Sequence, residues 1–434
     1  MNKIKQVVYF LLFVSISLSL AGCGTGRNEG ENSVGENLVV TQRTFVPVVD
    51  LSKEKVQDIF NYLAQSNGST PMTANIGIKS YKIDYKTTDE NGKEVIASGL
   101  ITVPVLTPDF LAYVKQTTGR DFTLSIVSDQ HGTIFSNDEA PSFATTKNPN
   151  LLSLLFSSIG IFMTVQPDYI GFGDSNQTHP YIIEKSLANS TVDMINAAIG
   201  FANKAGLPIN GQVFLSGYSE GGYATMAAAK DIQQNHPELD LKAVAPMAGP
   251  YDVEAMGLAT LSAPYMAFPP FLAYIAYAYS DIYNLDIKDM VNEPYADKLS
   301  TLFDANHTTA EIAYSLPLPG SDPKDLFVPS FVDDYLTNHD NKLRVKFKEN
   351  SLLSWTPKMP MKLIQCTNDE IIPYQIATQK AYDTFVKNGS TSVSIVPIDS
   401  ITADYTKGEF VHSKCALAAY SLVLPWFNDV RGGK

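Results

Sequence analysis

The chain has 434 residues, 44% of them hydrophobic and 18% charged, which is enough apolar sequence for one large domain with an insertion or for two domains. Its net charge of −13 speaks against a nucleic-acid partner, because a phosphate backbone is met by a Lys/Arg-rich surface. No long block of like charge and no fixed-period repeat is present, which excludes charged interaction tails and solenoid arrays.

Lys3 and Lys5 precede an almost wholly apolar run, Val7 to Leu20, and Leu20-Ala21-Gly22-Cys23 follows. The arrangement resembles a bacterial lipoprotein signal peptide with its lipobox. The resemblance implies cleavage before Cys23 and acylation of that cysteine; an uncleaved anchor and a plain secretory signal are the competing readings. Residues 1–22 are thus expected to be a signal peptide, and residues 23–45, which open polar and glycine-rich, a flexible tether. The protein is expected to be exported and held at a membrane by the lipid on Cys23, in the periplasm or at the cell surface. No later segment reaches the ~18 apolar residues of a spanning helix. The nearest, Phe268–Tyr279, is too short.

After the tether, Ile76–Thr87 and Lys93–Pro104 have strand-like content and are joined by a hairpin signal at Asn91-Gly92. Phe122–Ser128 and Ile159–Gln166 are short apolar runs of the buried-strand type. Between them lie His131-Gly132-Thr133 and a helical stretch, Leu151–Ser158. Glu184–Ala205 reads as a helix ended by Gly206-Leu207-Pro208. Gln212–Gly217 is a strand, Glu220–Gln234 an alanine-rich helix, and Leu241–Gly249 a strand. Pro360–Cys366 and Ser392–Ile398 are strands separated by a helix, roughly Tyr374–Lys387. The last helix is expected to start near Ser413 and to run to about Asn428. Alternation of this kind implies a mostly parallel sheet with helices on both faces, the hairpin adding antiparallel strands at one edge. Residues 252–350 break the alternation with helical and loop patterns rich in Tyr, Phe, Pro and Met. They are expected to form a helical cap over the C-terminal edge of the sheet, with extra core-packing helices as the plainer reading. The core is then 46–251 and 351–434.

Gly217-Tyr218-Ser219-Glu220-Gly221 fits G-x-S-x-G between a strand and a helix, the setting of a serine displayed on a strained turn. The helix that follows points its N-terminal N–H groups and positive dipole end toward the serine oxygen. Together with His131-Gly132-Thr133 after one strand and Asp168-Tyr169-Ile170-Gly171-Phe172-Gly173-Asp174-Ser175 after the next, the chain resembles the α/β-hydrolase fold family. With His179-Pro180-Tyr181 it looks most like the secreted lipase and esterase branch. The resemblance covers nearly all of the mature chain apart from the tether and the details of the cap.

That resemblance implies a Ser–acid–His order. Ser219 is the nucleophile. Of six histidines, His412 alone lies beyond the last two strands, where the family places its base. His131 is expected to shape the oxyanion loop and His179 to line the entrance; His236, His307 and His339 have polar neighbours and are expected on the surface or cap. Asp369 fits the family's D-x-x-x-P pattern with Pro373 and is the expected acid, with Glu370 and Asp252 as rivals and a helix cap as its structural alternative. The oxyanion donors are expected to be the N–H of Glu220 and one from the His131-Gly132-Thr133 loop, Thr133 within a residue or so. Cys366 lies three residues before Asp369 and Cys415 three after His412. If acid and base touch, the cysteines must be close, so a Cys366–Cys415 disulfide is expected in an exported chain; two free buried thiols are the alternative.

No metal-ligand spacing and no phosphate-cradling loop occurs, so neither a metal nor a cofactor is expected. The implied activity is cleavage of small-molecule or lipid carboxylic esters through an acyl-enzyme. An exported peptidase of the same fold, and a non-catalytic binding protein on it, are the alternatives. Nothing in the sequence speaks to oligomeric state.

Overall fold

A computed structural model describes residues 35–67, 69–404 and 408–432. Cys23 and the signal segment lie outside the described residues. The described strands are β1 (Leu38–Val39), β2 (Val49–Leu51), β3 (Ile78–Thr88), β4 (Glu94–Pro104), β5 (Leu124–Gln130), β6 (Met163–Pro167), β7 (Ile209–Tyr218), β8 (Asp240–Met247), β9 (Met361–Cys366) and β10 (Val393–Ile398). They form one sheet in the order β1-β3-β4-β6-β5-β7-β8-β9-β10, with β2 also on β3. From β6 through β10 every neighbouring pair is parallel; β1, β2, β3 and β4 are antiparallel. This is the α/β-hydrolase sheet with its antiparallel edge.

The hairpin forms where expected because Asp89 Oδ1 accepts from the N–H groups of Asn91 (3.0 Å) and Lys93 (2.8 Å), while Gly92 takes φ 82°. The parallel strands are buried on both faces, so they read as continuous apolar runs. Along β7, Val213 and Leu215 face the helices Glu184–Ala205 and Glu220–Asn235, whereas Phe214 faces the final helix, Val411–Arg431. Small residues set the approach of the helix Glu220–Asn235: Ala224, Ala227 and Ala228 are buried against the sheet.

Two boundaries and two helices differ from expectation. Residues 35–45 are not all tether: Leu38-Val39 pairs with β3, and Phe45 stacks on Phe201 at 5.1 Å. The helices Lys53–Asn67 and Pro108–Thr118 were not expected. The last helix begins at Val411, two residues before Ser413, so His412 sits inside its first turn. Phe410 occupies the cap position with no side-chain cap bond, so the usual Ser/Thr/Asp start signal is missing and Ser413 imitates it.

Among the described residues of 252–350 no strand joins the sheet. The segment is built from short helices running from Val253–Ser262 and Pro269–Tyr283 to Lys342–Glu349. Its apolar side chains merge with those of the core in one continuous cluster.

Candidate active site

The parallel strands all end at one edge of the sheet, and the segments that follow β5, β7, β9 and β10 carry the His131-Gly132-Thr133 loop, Ser219, Asp369 and His412. β7 delivers Ser219 with φ 61° and ψ −123°, a backbone state L-residues seldom adopt. The turn is tight enough to demand glycine. A Cβ on Gly217 would lie 2.3 Å from Gly221 O, and one on Gly221 would lie 2.0 Å from Gln130 O. The Ser219 N–H is bound to Met247 O at 2.9 Å, which ties the turn to the end of β8. What remains free is the side chain, and the helix N-terminus behind it.

Ser219 Oγ lies 2.8 Å from His412 Nε2, and His412 Nδ1 lies 2.7 Å from Asp369 Oδ2. Asp369 is held from both oxygens. Its Oδ1 accepts from the N–H groups of Ile371 (3.0 Å) and Ile372 (2.9 Å), and its Oδ2 accepts from Gln365 Nε2 at 3.1 Å. The tautomer follows: an acceptor carboxylate at Nδ1 requires a proton there, leaving the Nε2 lone pair for the serine hydroxyl. The Tyr218 hydroxyl donates to His412 O at 2.7 Å and fixes the backbone of the same residue.

The two rival acids are elsewhere engaged or unpaired. Asp252 caps the helix Val253–Ser262 by accepting from Ala255 N–H at 2.9 Å, and pairs with Lys380 at 2.6 Å. Glu370 makes no hydrogen bond to His412: no donor meets its buried carboxylate oxygens at hydrogen-bonding distance and angle, and burial pushes its pKa up against the pull of its own and the Val411 backbone N–H and of the nearby His412. Cys366 and Cys415 are bonded, with Cα atoms 6.0 Å apart and both side chains buried. The bridge joins the end of β9, which leads to Asp369, to the helix that carries His412.

Gly132 reaches Ser219, with a Cβ built on it only 3.7 Å from Ser219 Cβ. Among the described residues nothing accepts from the backbone N–H of Thr133 or of Glu220. Thr133 Oγ1 shares a 2.8 Å hydrogen bond with the Tyr181 hydroxyl. His131 wedges between this loop and the Asp168 turn, its ring nitrogens 2.7 Å from Gly132 O and 3.2 Å from Asp168 O. Burial drives its pKa down, opposed by the Glu220 charge.

His179 is not at an entrance. It is 3% exposed, its Nε2 lies 2.6 Å from Glu220 Oε1 and its Nδ1 lies 2.8 Å from Ile170 O. Sequence reasoning missed this pair because its members are 41 residues apart on unrelated elements. The available signal was a charged residue at the x of S-x-G, where the next nine residues of the helix, Gly221 to Ala229, are uncharged.

The helices after β8 reach this edge through aromatic rings. Phe268 meets Phe410, two residues before His412, at 5.8 Å. Tyr274 stacks on Tyr181 at 4.6 Å, and Phe271 lies 6.1 Å from Phe135, just beyond the His131-Gly132-Thr133 loop. Two clefts of about 490 and 380 Å³ open elsewhere on the surface, and neither contains Ser219. The geometry of the side chains, rather than cavity size, locates the chemistry. Among the described residues no group of His, Cys, Asp and Glu could hold a metal ion.

Known proteins share this fold. A hydrolase-assigned protein of Legionella pneumophila superposes with a TM-score of 0.76 at 28% identity, over 91% of this chain and 98% of that one. The rice cell wall degrading esterase LipA of Xanthomonas oryzae gives 0.76 at 24% identity, over 92% and 99%. The trichothecene C-3 esterase of Fusarium sporotrichioides is 29% identical over 191 residues, 43% of this chain but only 39% of that protein, so the match spans well under half of that relative. A family model described as secretory lipase matches residues 143–433, more than half of the chain and all of the loops from the Asp168 turn to His412, and the protein therefore belongs to the secretory lipase family.

Proposed function

We propose that this protein is an exported serine hydrolase that cleaves carboxylic esters. The observation that carries the reading is the continuous Ser219 Oγ–His412 Nε2–Asp369 Oδ2 line, at 2.8 and 2.7 Å. A serine hydroxyl attacks only when a base takes its proton, and this line supplies that base in its correct tautomer. His412 accepts the Ser219 proton as Oγ bonds the ester carbonyl carbon. The carbonyl oxygen becomes an oxyanion, received by the N–H groups of Glu220 and Thr133. Collapse breaks the bond to the alkoxy oxygen, which leaves with the proton from His412. Water, deprotonated by His412, then releases the acid from the acyl-enzyme and returns the proton to Ser219.

The family and the relatives named above support ester cleavage. Two of those relatives are named as esterases, one for degrading the rice cell wall and one for the C-3 position of trichothecenes, so what they share by name is esterase activity and not a substrate. Phe268, Phe271 and Tyr274 support a cap, residues 252–350, that presents an apolar wall to an acyl or aryl group. Secretion is the family's namesake, and Lys3, Lys5 and Leu20-Ala21-Gly22-Cys23 support a lipid anchor on Cys23.

The test is covalent labelling of tether-free protein by a fluorophosphonate, with a panel of p-nitrophenyl esters of graded acyl length. Labelling and ester turnover in the wild type, both absent in Ser219→Ala, are expected. A wild type that neither labels nor turns over any ester overturns the reading.

A further inference from the structure

Glu220 sits in an awkward place for the chemistry just described. Its N–H is the donor that follows the nucleophile, yet its side chain is a carboxylate, 1% exposed, at the first position of the helix Glu220–Asn235. A buried negative charge there opposes the oxyanion it is meant to help stabilise, and it competes for the same positive helix end. Leaving it unpaired would also carry a large desolvation penalty.

The hydrogen bonds around His179 show how the charge is cancelled. Ile170 O can only accept, so the Nδ1 that lies 2.8 Å from it carries a proton. Nε2 faces Glu220 Oε1 at 2.6 Å, so one further proton lies between ring and carboxyl. Whichever atom holds it, ring plus carboxyl sum to zero charge. The ring is boxed by aromatic groups: Phe172 at 4.9 Å, Tyr169 at 5.9 Å, Tyr274 at 5.8 Å and Tyr181 at 6.1 Å. The phenols of Tyr169, Tyr181 and Tyr274 are all pushed up, by burial first and the Glu220 charge second, so they stay neutral and cannot replace the histidine. The backbone is committed too, since a Cβ on Gly171 would lie 2.4 Å from His179 Cα.

We propose that His179 is a positioning residue for ester cleavage: paired with the Glu220 carboxyl, it holds the first residue of the nucleophile helix neutral and in register, so that the Glu220 N–H can serve the oxyanion. Tyr181, which bonds Thr133 and lies beside His179, extends the same support to the second donor. The proposal rests on the serine-hydrolase reading and predicts a defect in the transition state rather than in substrate binding.

The experiment compares wild type, His179→Phe and His179→Phe/Glu220→Gln on one p-nitrophenyl ester, with kcat expressed per serine labelled by fluorophosphonate. His179→Phe fills the aromatic box but strands the carboxylate. Its kcat should fall about a hundredfold or more, the size of losing one oxyanion donor, with KM within about threefold. Adding Glu220→Gln removes the stranded charge and should restore kcat at least about tenfold. Scaffolding alone predicts no rescue, because the second substitution adds a further change to a damaged core. A wild-type kcat in His179→Phe, or a double variant no faster than the single, overturns the proposal. If His179→Phe does not fold, His179→Gln keeps an N–H for Glu220 without the ability to carry charge, and is judged by the same two outcomes. A wild type inert on esters removes both this proposal and the reading beneath it, whereas an active wild type with unaffected His179 variants removes this one alone.

Discussion

Two buried histidine–carboxylate pairs meet the chain at consecutive residues, and they are wired differently. In the first, His412 gives Nδ1 to Asp369 and keeps Nε2 for Ser219 Oγ. In the second, His179 gives Nδ1 to a backbone carbonyl and Nε2 to Glu220, so neither nitrogen is left to work. The chemical parts are the same, yet one arrangement can pass a proton to a third atom and the other can only hold charge in place. The first pair is clamped covalently, by the Cys366–Cys415 bridge beside it; the second is clamped by ring packing.

Removing the parts of the first pair tests that distinction most severely. His412→Ala should lose about a millionfold in kcat on a p-nitrophenyl ester, the scale on which the base or nucleophile acts in serine hydrolases. A loss of only tenfold would mean that another group serves as base and would erase the contrast between the pairs. Asp369→Asn keeps the shape but no longer requires the proton on Nδ1, and kcat should fall about ten-thousandfold with KM little changed. If Glu370→Gln proved the more damaging of the two, the acid would have been assigned one residue too early.

The clamp is the next point of attack. The cysteines are 49 residues apart, and the chain-entropy account puts the bridge at about 4 kcal/mol. Cys366→Ala/Cys415→Ala should therefore unfold at clearly lower denaturant concentration, with a smaller loss of kcat in the folded protein. Unchanged denaturation midpoints would show that packing of the final helix alone holds His412 against Asp369.

Much of the first pair was legible in the sequence, and little of the second. Ser219 announces itself by glycines whose Cβ atoms would strike backbone, a steric demand written in a five-residue window. Asp369 and His412 follow from their position after particular strands, and the cysteines from equal spacing to each. The pairing of His179 with Glu220 has no such spacing, since it arises where a loop after β6 crosses a helix start after β7. The helix Lys53–Asn67 was legible but overlooked: Val56, Phe60 and Ala64 recur at helical spacing and are buried. The start of the final helix was not legible, because Phe410 offers no capping oxygen. The register of the cap lies in ring-on-ring packing, which composition announces without arranging.

The smallest expected effect separates a carboxylate that works from one that only looks placed to do so. Asp252 follows β8 as Asp369 follows β9, and its sequence neighbourhood could not exclude it as the acid. In the structure its Oδ1 accepts from Ala255 N–H at 2.9 Å and its Oδ2 meets Lys380 Nζ at 2.6 Å, a half-exposed cation. Both oxygens are thereby spent on a helix start and a surface ion pair. Loss of an N-cap costs about 1 kcal/mol, and an ion pair open to solvent adds at most about the same again. Asp252→Ala should lower stability by about 1 kcal/mol in urea unfolding while kcat stays at the wild-type value. A kcat loss approaching that of Asp369→Asn would move the acid to β8, leave the His412–Asp369 bond as a structural contact, and make both histidine–carboxylate pairs fixtures of the same kind.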